Sequence, residues 1–377
     1  MIANPHTWIE ISASAFSHNV RQFKNILGSH ALALIIKADA YGHGLAPIAQ
    51  LCEHNNAIDW LCTFSLSEAL QARKYTATKP LLVLGMIDVD PSRAINQNIA
   101  FIVSDYQTAR NLNDCAQQYN SCFKVHVKID TGLSRFGITP QEALPFVTQL
   151  QQLPHINING ICSHFAQSPS ENQTYSYKQL NSFNTVLEEL QKHTISIPFK
   201  HIANSAATTA YQLPLCNFFR VGTGIYGYWP SQANKKIAQE RYLDFTLKPI
   251  LTWKTRIIQI RELPAGQSVG YDCTYTTQKK TRIAILPVGY YDGYNPGLSN
   301  KGYVRINNES APIIGRVAMN TITVDVTTIS AHIGDEVFLL GDYPDITGYD
   351  LASHAAINNV RYITTNIRPN IKRTIVT

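Results

Sequence analysis

The sequence predicts an α/β chain: an N-terminal (β/α)8 TIM barrel followed by a smaller, mainly β domain. Three observations predict it. From Ser12 to about residue 230, apolar, β-rich runs alternate with polar, helix-like segments. Eight such runs occur, in units of roughly 20–40 residues, as a (β/α)8 barrel requires. After about residue 240 the runs become short and β-like, with Gly, Pro, Asn and Asp between them. The expected division is therefore 1–240 for the barrel and 241–377 for the β domain.

The barrel runs lie at about 31–37, 59–64, 81–85, 99–103, 123–130, 158–164, 199–203 and 217–227. The helical segments include "SASAFSHNVRQFKNIL", "DYQTARNLNDCAQQY", "TPQEALPFVTQLQQL" and "YSYKQLNSFNTVLEELQKH". Several open on Ser, Thr or Asp, whose side chains accept the free N–H groups of a first helical turn. A doubly wound sheet is the structural competitor, but no G-x-G-x-x-G turn follows the first run. The later β runs are "LTWKTRIIQI", "TRIAILPVGY", "APIIGRV", "NTITVDV" and "DEVFLLGD".

The chain has 377 residues, 45% hydrophobic and 15% charged, which is ordinary for a folded globular protein. Its net charge of +6 suits an anionic small ligand. No dense Lys/Arg run points to nucleic acid. No apolar run approaches the ~18 residues of a membrane helix. The N-terminus lacks the layout of a signal peptide, so a cytoplasmic location is expected. The seven cysteines are scattered and never form C-x-x-C, which predicts reduced, buried thiols and no metal site.

Catalytic groups in such barrels gather at the C-terminal ends of the strands. Lys37 and Tyr41 follow the first run. Lys128, Asp130 and Arg135 follow the fifth, His164 the sixth, and Asn204 and Ser205 the seventh. Arg220, Gly222 and Thr223 lie on the eighth. Lys37 reads either as an ordinary charged strand end or as a Schiff-base lysine. Ser205, Gly222 and Thr223 can offer a hydroxyl and close backbone N–H groups to a phosphate, and Tyr41 a phenol. A phosphate cradle and a lysine in one mouth suggest pyridoxal phosphate (PLP). Arg220 suits an unprotonated pyridine nitrogen, because an arginine keeps its proton; the other reading pairs it with a carboxylate. In "FKVHVKID" the apolar face should meet the helices. Lys124, His126, Lys128 and Asp130 should face the barrel interior. A buried Lys128 needs an anionic partner or must be neutral.

These residues closely resemble the alanine racemase family, fold-type III PLP enzymes. The most specific pieces are "IIKADAYGHG", "KIDTGLSRFG", "HIANSAA", "FRVGTGIYG", "VGYDCTY", "LPVGYYDGY" and "IGRVAMN". The resemblance implies an isomerase that interconverts L- and D-alanine by two-base proton transfer, in the setting of D-alanine supply for peptidoglycan. Lys37 would bind PLP and act on one face of Cα; Tyr271, from the other subunit of a homodimer, would act on the opposite face. Arg220 would contact the pyridine nitrogen and His164 would support Arg220. Tyr41, Asn204, Ser205, Gly222 and Thr223 would hold the cofactor. Arg135 and the backbone N–H of Met319 would hold the substrate carboxylate. Lys128 would be N-carboxylated and would orient Arg135, and Tyr290 would lie at the entrance.

Two positions depart from the family pattern. Asn320 stands where an aspartate is usual. Counting back from Arg368 puts Asn359 where a tyrosine usually contacts the phosphate, although Tyr362 fits if the register shifts. A small polar Asn359 would admit a substrate hydroxyl, which keeps a serine or broader-specificity racemase as the alternative. Fold-type III decarboxylases are disfavoured by Arg220. A non-enzymatic PLP-binding protein, the rival of a different class, would lack the β domain.

Overall fold

The computed structural model describes residues 6–167 and 172–377. The first five residues, weighed above as part of a leader, lie outside that range. The chain forms two compact units. One contains Phe16–Ala38 and Ile48–Leu247; the other contains the segment up to Ala15, Asp39–Pro47 and Lys248–Thr377.

The opening strand β1 (Thr7–Ser12) pairs antiparallel with Leu251–Arg256 and parallel with Lys372–Val376. The first residues therefore belong with the β unit, although they precede the barrel in sequence. In "TWIEIS", Trp8, Ile9 and Ile11 are buried and Thr7, Glu10 and Ser12 partly so. Such a strand takes its partners from tertiary contacts rather than from its sequence neighbours.

The barrel strands follow as β2 (Ala31–Ile35), β3 (Trp60–Ser65), β4 (Leu81–Met86), β5 (Ile99–Val103), β6 (Phe123–Lys128), β7 (Ile156–Cys162), β8 (Phe199–His201) and β9 (Phe218–Val221). All eight lie in one parallel sheet, ordered β8-β7-β6-β5-β4-β3-β2-β9. At its two ends, Asn217 N–H donates to Lys200 C=O at 3.1 Å. Parallel strands are covered on both faces, which is why β2 and β3 read as nearly unbroken apolar runs. The four helical segments named above form Ala13–Leu27, Tyr106–Gln118, Ala143–Leu150 (after a short 3-10 turn) and Thr174–Lys192.

On β6 the inward polar face is real for His126 and Lys128, both buried, but Lys124 is exposed. It sits at the start of the strand, where the sheet meets solvent. The thiol expectation also needs correction. Cys52, Cys62, Cys162 and Cys216 are buried, whereas Cys122 and Cys273 are exposed. Both exposed cysteines sit outside or at the edge of strands, so no sheet face covers them. No described helix is long and apolar enough to cross a membrane.

In the β unit, the six-stranded sheet holds β1, Leu251–Arg256 and Lys372–Val376 together with Tyr303–Ile306, Glu309–Pro312 and Glu336–Leu340. A second sheet of three strands carries Gln259–Leu263, Thr281–Leu286 and Ile322–Asp325.

Candidate active site

The backbone on both sides of Lys37 is held. Ile35 C=O accepts the Tyr226 hydroxyl at 2.8 Å. Ile36 N–H donates to Cys62 C=O at 2.8 Å, and Ala38 N–H to Glu68 Oε1 at 2.8 Å. Lys37 is half-buried, its ammonium 5.9 Å from the Phe64 ring centroid. The next four residues, Ala38, Asp39, Ala40 and Tyr41, have φ of 54°, 51°, 53° and 56°. Ala38–Tyr41 is thus a left-handed turn built from L-residues, each costing about 1–2 kcal/mol. Gly42 closes it at φ 81°, where a Cβ would lie 1.9 Å from the Thr364 carbonyl oxygen. The sequence marked a polar turn here but gave no sign of its hand.

Arg220 sits inside the barrel, 5% exposed. Its Nη2 donates to Ser163 C=O at 2.8 Å and to His164 Nδ1 at 3.1 Å. Its Nη1 donates to His201 Nδ1. No carboxylate among the described residues pairs with it, which removes the ion-pair reading. An arginine only donates, so His201 Nδ1 must accept and its proton must sit on Nε2. That proton points to His126 Nδ1, 2.7 Å away. One guanidinium therefore sets the tautomers of two histidines in series. Burial first, and the Arg220 charge after it, push His164 and His201 well below their ordinary range, so both stay neutral. His126 falls to about 3, burial again being the largest cause. Its ring packs among Trp60, Phe199 and Phe218. Gly160 makes the space: a Cβ there would lie 2.3 Å from His126 Nδ1.

Lys128 is buried, and no described carboxylate forms an ion pair with it. Desolvation pulls its amine down to about 8, with Arg220 and Arg135 adding to the fall and Cys162 and Asp130 opposing it. Lys37, Lys128, Arg135 and Arg220 all depress His164 through their charge. The mouth is thus a cationic cluster in need of an anion. Arg135 is exposed, on a loop organised by Asp130. The Asp130 carboxylate accepts the N–H groups of Gly132, Leu133 and Ser134 at 2.9–3.1 Å.

Ser205 and Thr223 are buried near the ends of β8 and β9. The N–H groups of Gly222 and Gly224 point at Ser205 Oγ, at 3.0 and 3.3 Å. Asn204 uses its side-chain oxygen locally, accepting from Ala207 N–H at 3.0 Å.

The β unit holds the other predicted residues. Tyr271 is 71% exposed, on the 3-10 turn Tyr271–Cys273. Asp272 at φ 57° shapes that turn and pairs with Arg316 at 2.9 Å. Tyr290 N–H donates to Ala318 C=O and Tyr291 N–H to Met319 C=O, each at 3.0 Å. Tyr290 and Met319 are therefore neighbours, both exposed, with Asn320 exposed beside them. Tyr41, half-buried, lies in this unit as well. Asn359 Oδ1 accepts from Arg361 N–H at 3.1 Å and Nε at 2.9 Å, so its oxygen is engaged locally; Tyr362 is exposed.

The family model described as alanine racemase, N-terminal domain matches residues 11–230, and that for the C-terminal domain matches residues 250–375. The chain belongs to the alanine racemase family. Membership makes it an enzyme of the isomerase class. It is 38% identical to an alanine racemase of Halothermothrix orenii over 95% of this chain and 93% of that relative. The solved alanine racemase of Clostridium difficile 630 superposes with a TM-score of 0.91 at 30% identity, covering 99% of this chain and 96% of that one. The alanine racemase of Bacillus anthracis, crystallised with bound L-Ala-P, gives 0.85 at 29% identity over 100% and 96%.

Two residues that shape this alanine racemase-type mouth were not singled out as site residues from sequence: His126 and His201. The signal was present, since His126 shares the inward face with Lys128 and His201 opens "HIANSA". What sequence could not supply was their 2.7 Å contact across 75 residues.

Proposed function

We propose that the chain interconverts L- and D-alanine with PLP as cofactor, as a homodimer whose sites are shared between subunits. The observation that carries this reading is Arg220, buried without a carboxylate among the described residues and held by neutral acceptors behind the cationic mouth.

The residues present fit PLP. Lys37 supplies an amine at the strand end, and Arg220 a permanent donor for an unprotonated ring nitrogen. Ser205, Thr223 and the Gly222 N–H, with Tyr41, would hold the phosphate, and Asn204 would be among the residues that bind the cofactor. When bound, the cofactor supplies an electron sink that acidifies Cα–H. The chain's own groups do the rest. The Lys37 amine removes or returns a proton on one face of Cα, and the Tyr271 phenol of the partner subunit does so on the other. Arg135 and the backbone N–H of the partner subunit's Met319 would hold the substrate carboxylate, with Tyr290 at the entrance. With His164 and His201 neutral, the Arg220 guanidinium would donate a hydrogen bond to the ring nitrogen and keep its own proton, which would favour prompt return of the proton to Cα.

Lys128 fits N-carboxylation. A neutral amine adds CO2 and releases one proton, turning a buried cation into an anion beside Arg135. An amine that titrates near about 8 is ready for this at mildly alkaline pH. Intact mass at high bicarbonate should show the gain of one CO2; a Lys128→Ala variant should lose it.

The deciding experiment incubates PLP-loaded protein separately with L-alanine and L-serine and follows D-enantiomers by chiral chromatography. D-Alanine supports the reading. D-Serine at a comparable rate would widen the substrate range, with Asn320 and Asn359 as the positions to examine. Neither product would overturn the reading.

A further inference from the structure

Ala38–Tyr41, the left-handed part of the turn after Lys37, is the longest run of non-glycine residues at positive φ among the described residues. L-residues leave that region readily unless the surroundings hold them. Arg373 is the group placed to do so. It lies on the strand Lys372–Val376, and its side chain is 4% exposed. Its Nε and Nη2 both donate to Gly42 C=O, at 3.1 and 2.9 Å. Nη1 donates to the carbonyls of Arg368, Pro369 and Ile371 at 3.0, 3.0 and 2.8 Å, and Nη2 also reaches Ile367 C=O at 3.4 Å. The Asp39 carboxylate stands 3.7 Å from Nη2, while its other oxygen accepts Leu45 N–H at 2.7 Å. Gly44 leaves room for the arginine: a Cβ there would lie 2.5 Å from Arg373 Cδ.

A guanidinium this buried must satisfy its N–H groups. Here they go to backbone carbonyls, and two of them to the one carbonyl that closes the turn. A lysine keeps the charge but gathers its donors on one atom, so it cannot span Gly42 and the 367–371 carbonyls together.

We propose that Arg373 is a positioning residue for the reaction. By holding the Gly42 carbonyl it keeps the left-handed turn wound, and with it the directions in which Lys37 and Tyr41 leave the backbone. This role rests on the cofactor reading of Lys37 and Tyr41 given above.

The test uses full-length Arg373→Lys, with Asp39→Asn as a milder variant should the first fail to fold. Hydrogen exchange without cofactor should accelerate by about tenfold or more over residues 38–44, as expected for losing a hydrogen bond to a charged group. Exchange in β3–β7 should stay at the wild-type rate. PLP, followed by its Schiff-base absorbance, should bind about tenfold more weakly. Unchanged exchange over 38–44 would overturn the proposal. So would faster exchange with wild-type PLP affinity, KM and kcat, since Arg373 would then be structural only. Wild-type protein that takes up no PLP would instead sink the cofactor reading, and this role with it.

Discussion

The barrel mouth and the exposed face of the β unit are built in opposite ways. In the barrel, Arg220, His201, His126 and Ser205 are buried, and each is fixed by named partners. In the β unit, Tyr271, Tyr290 and Met319 are 71%, 46% and 52% exposed, on short turns and loops. One region is finished within its own chain, and the other presents aromatic and thioether side chains outward. A proton carrier left in water serves poorly, because water competes for its proton and screens its field. The contrast is what a shared site demands: precision where the cofactor would sit, exposure where a second subunit would cover it.

The sharpest way to break this contrast is to remove one group from each side. Lys37→Ala should abolish the Schiff-base absorbance and lower racemisation by about a thousandfold or more. Tyr271→Phe should keep the absorbance and lower racemisation by about 10²–10⁴-fold, with little change in melting temperature because the side chain is exposed. Mixing the two inactive variants and allowing subunits to exchange should then restore activity, since each mixed dimer contains one intact site. No recovery on mixing would mean that each chain completes its own site.

A smaller effect separates the two units in acid. His126 titrates near about 3 when folded, against 6.5 ordinarily, and His164 and His201 are lowered as well. The unfolded chain therefore takes up protons that the folded barrel refuses. Stability should fall as pH drops below about 6.5 toward 3, by about a few kcal/mol for His126, with His164 and His201 acting in the same direction. The β unit holds His43, lowered to about 3 by burial. Hydrogen exchange resolved by unit should show the barrel opening at the higher pH, and equal acid sensitivity would contradict this. The smallest effect is expected at Asn359→Tyr. Its oxygen is tied to Arg361, so the change should alter the serine-to-alanine ratio of kcat/KM by no more than about tenfold. Equal loss for both substrates would remove Asn359 from specificity.

The barrel was legible in sequence because its strands are covered on both faces and its helices carry their own caps. Ser65 and Asp105, for example, accept the N–H groups of Glu68 and Thr108. The strand-end residues were legible for the same reason, since a barrel gathers strand ends at one rim. What stayed hidden depends on distance in the fold. The tautomer series from Arg220 to His126 needs three strands brought together. The hand of the Lys37–Tyr41 turn is imposed on residues whose own preference is the opposite. The β1 strand lies outside the runs counted from sequence, because both its partners are more than two hundred residues away.

That last pairing also imposes an order of events during synthesis. Thr7 bonds to Lys254 across 247 positions, and Ile9 to Thr374 across 365. A ribosome extends a chain by about 5–20 residues per second, so β1 emerges tens of seconds before its last neighbour exists. Both of its edges are bare until Leu251–Arg256 is made, and one stays bare until Lys372–Val376 follows; a bare edge can pair with the wrong strand. Glu10, exposed to solvent until Lys254 arrives to pair with it at 2.8 Å, puts a charge on the waiting strand and discourages such pairing. β1 is thus made long before it is enclosed, and the nascent chain must carry it as an unsatisfied template while the residues between it and its partners are made.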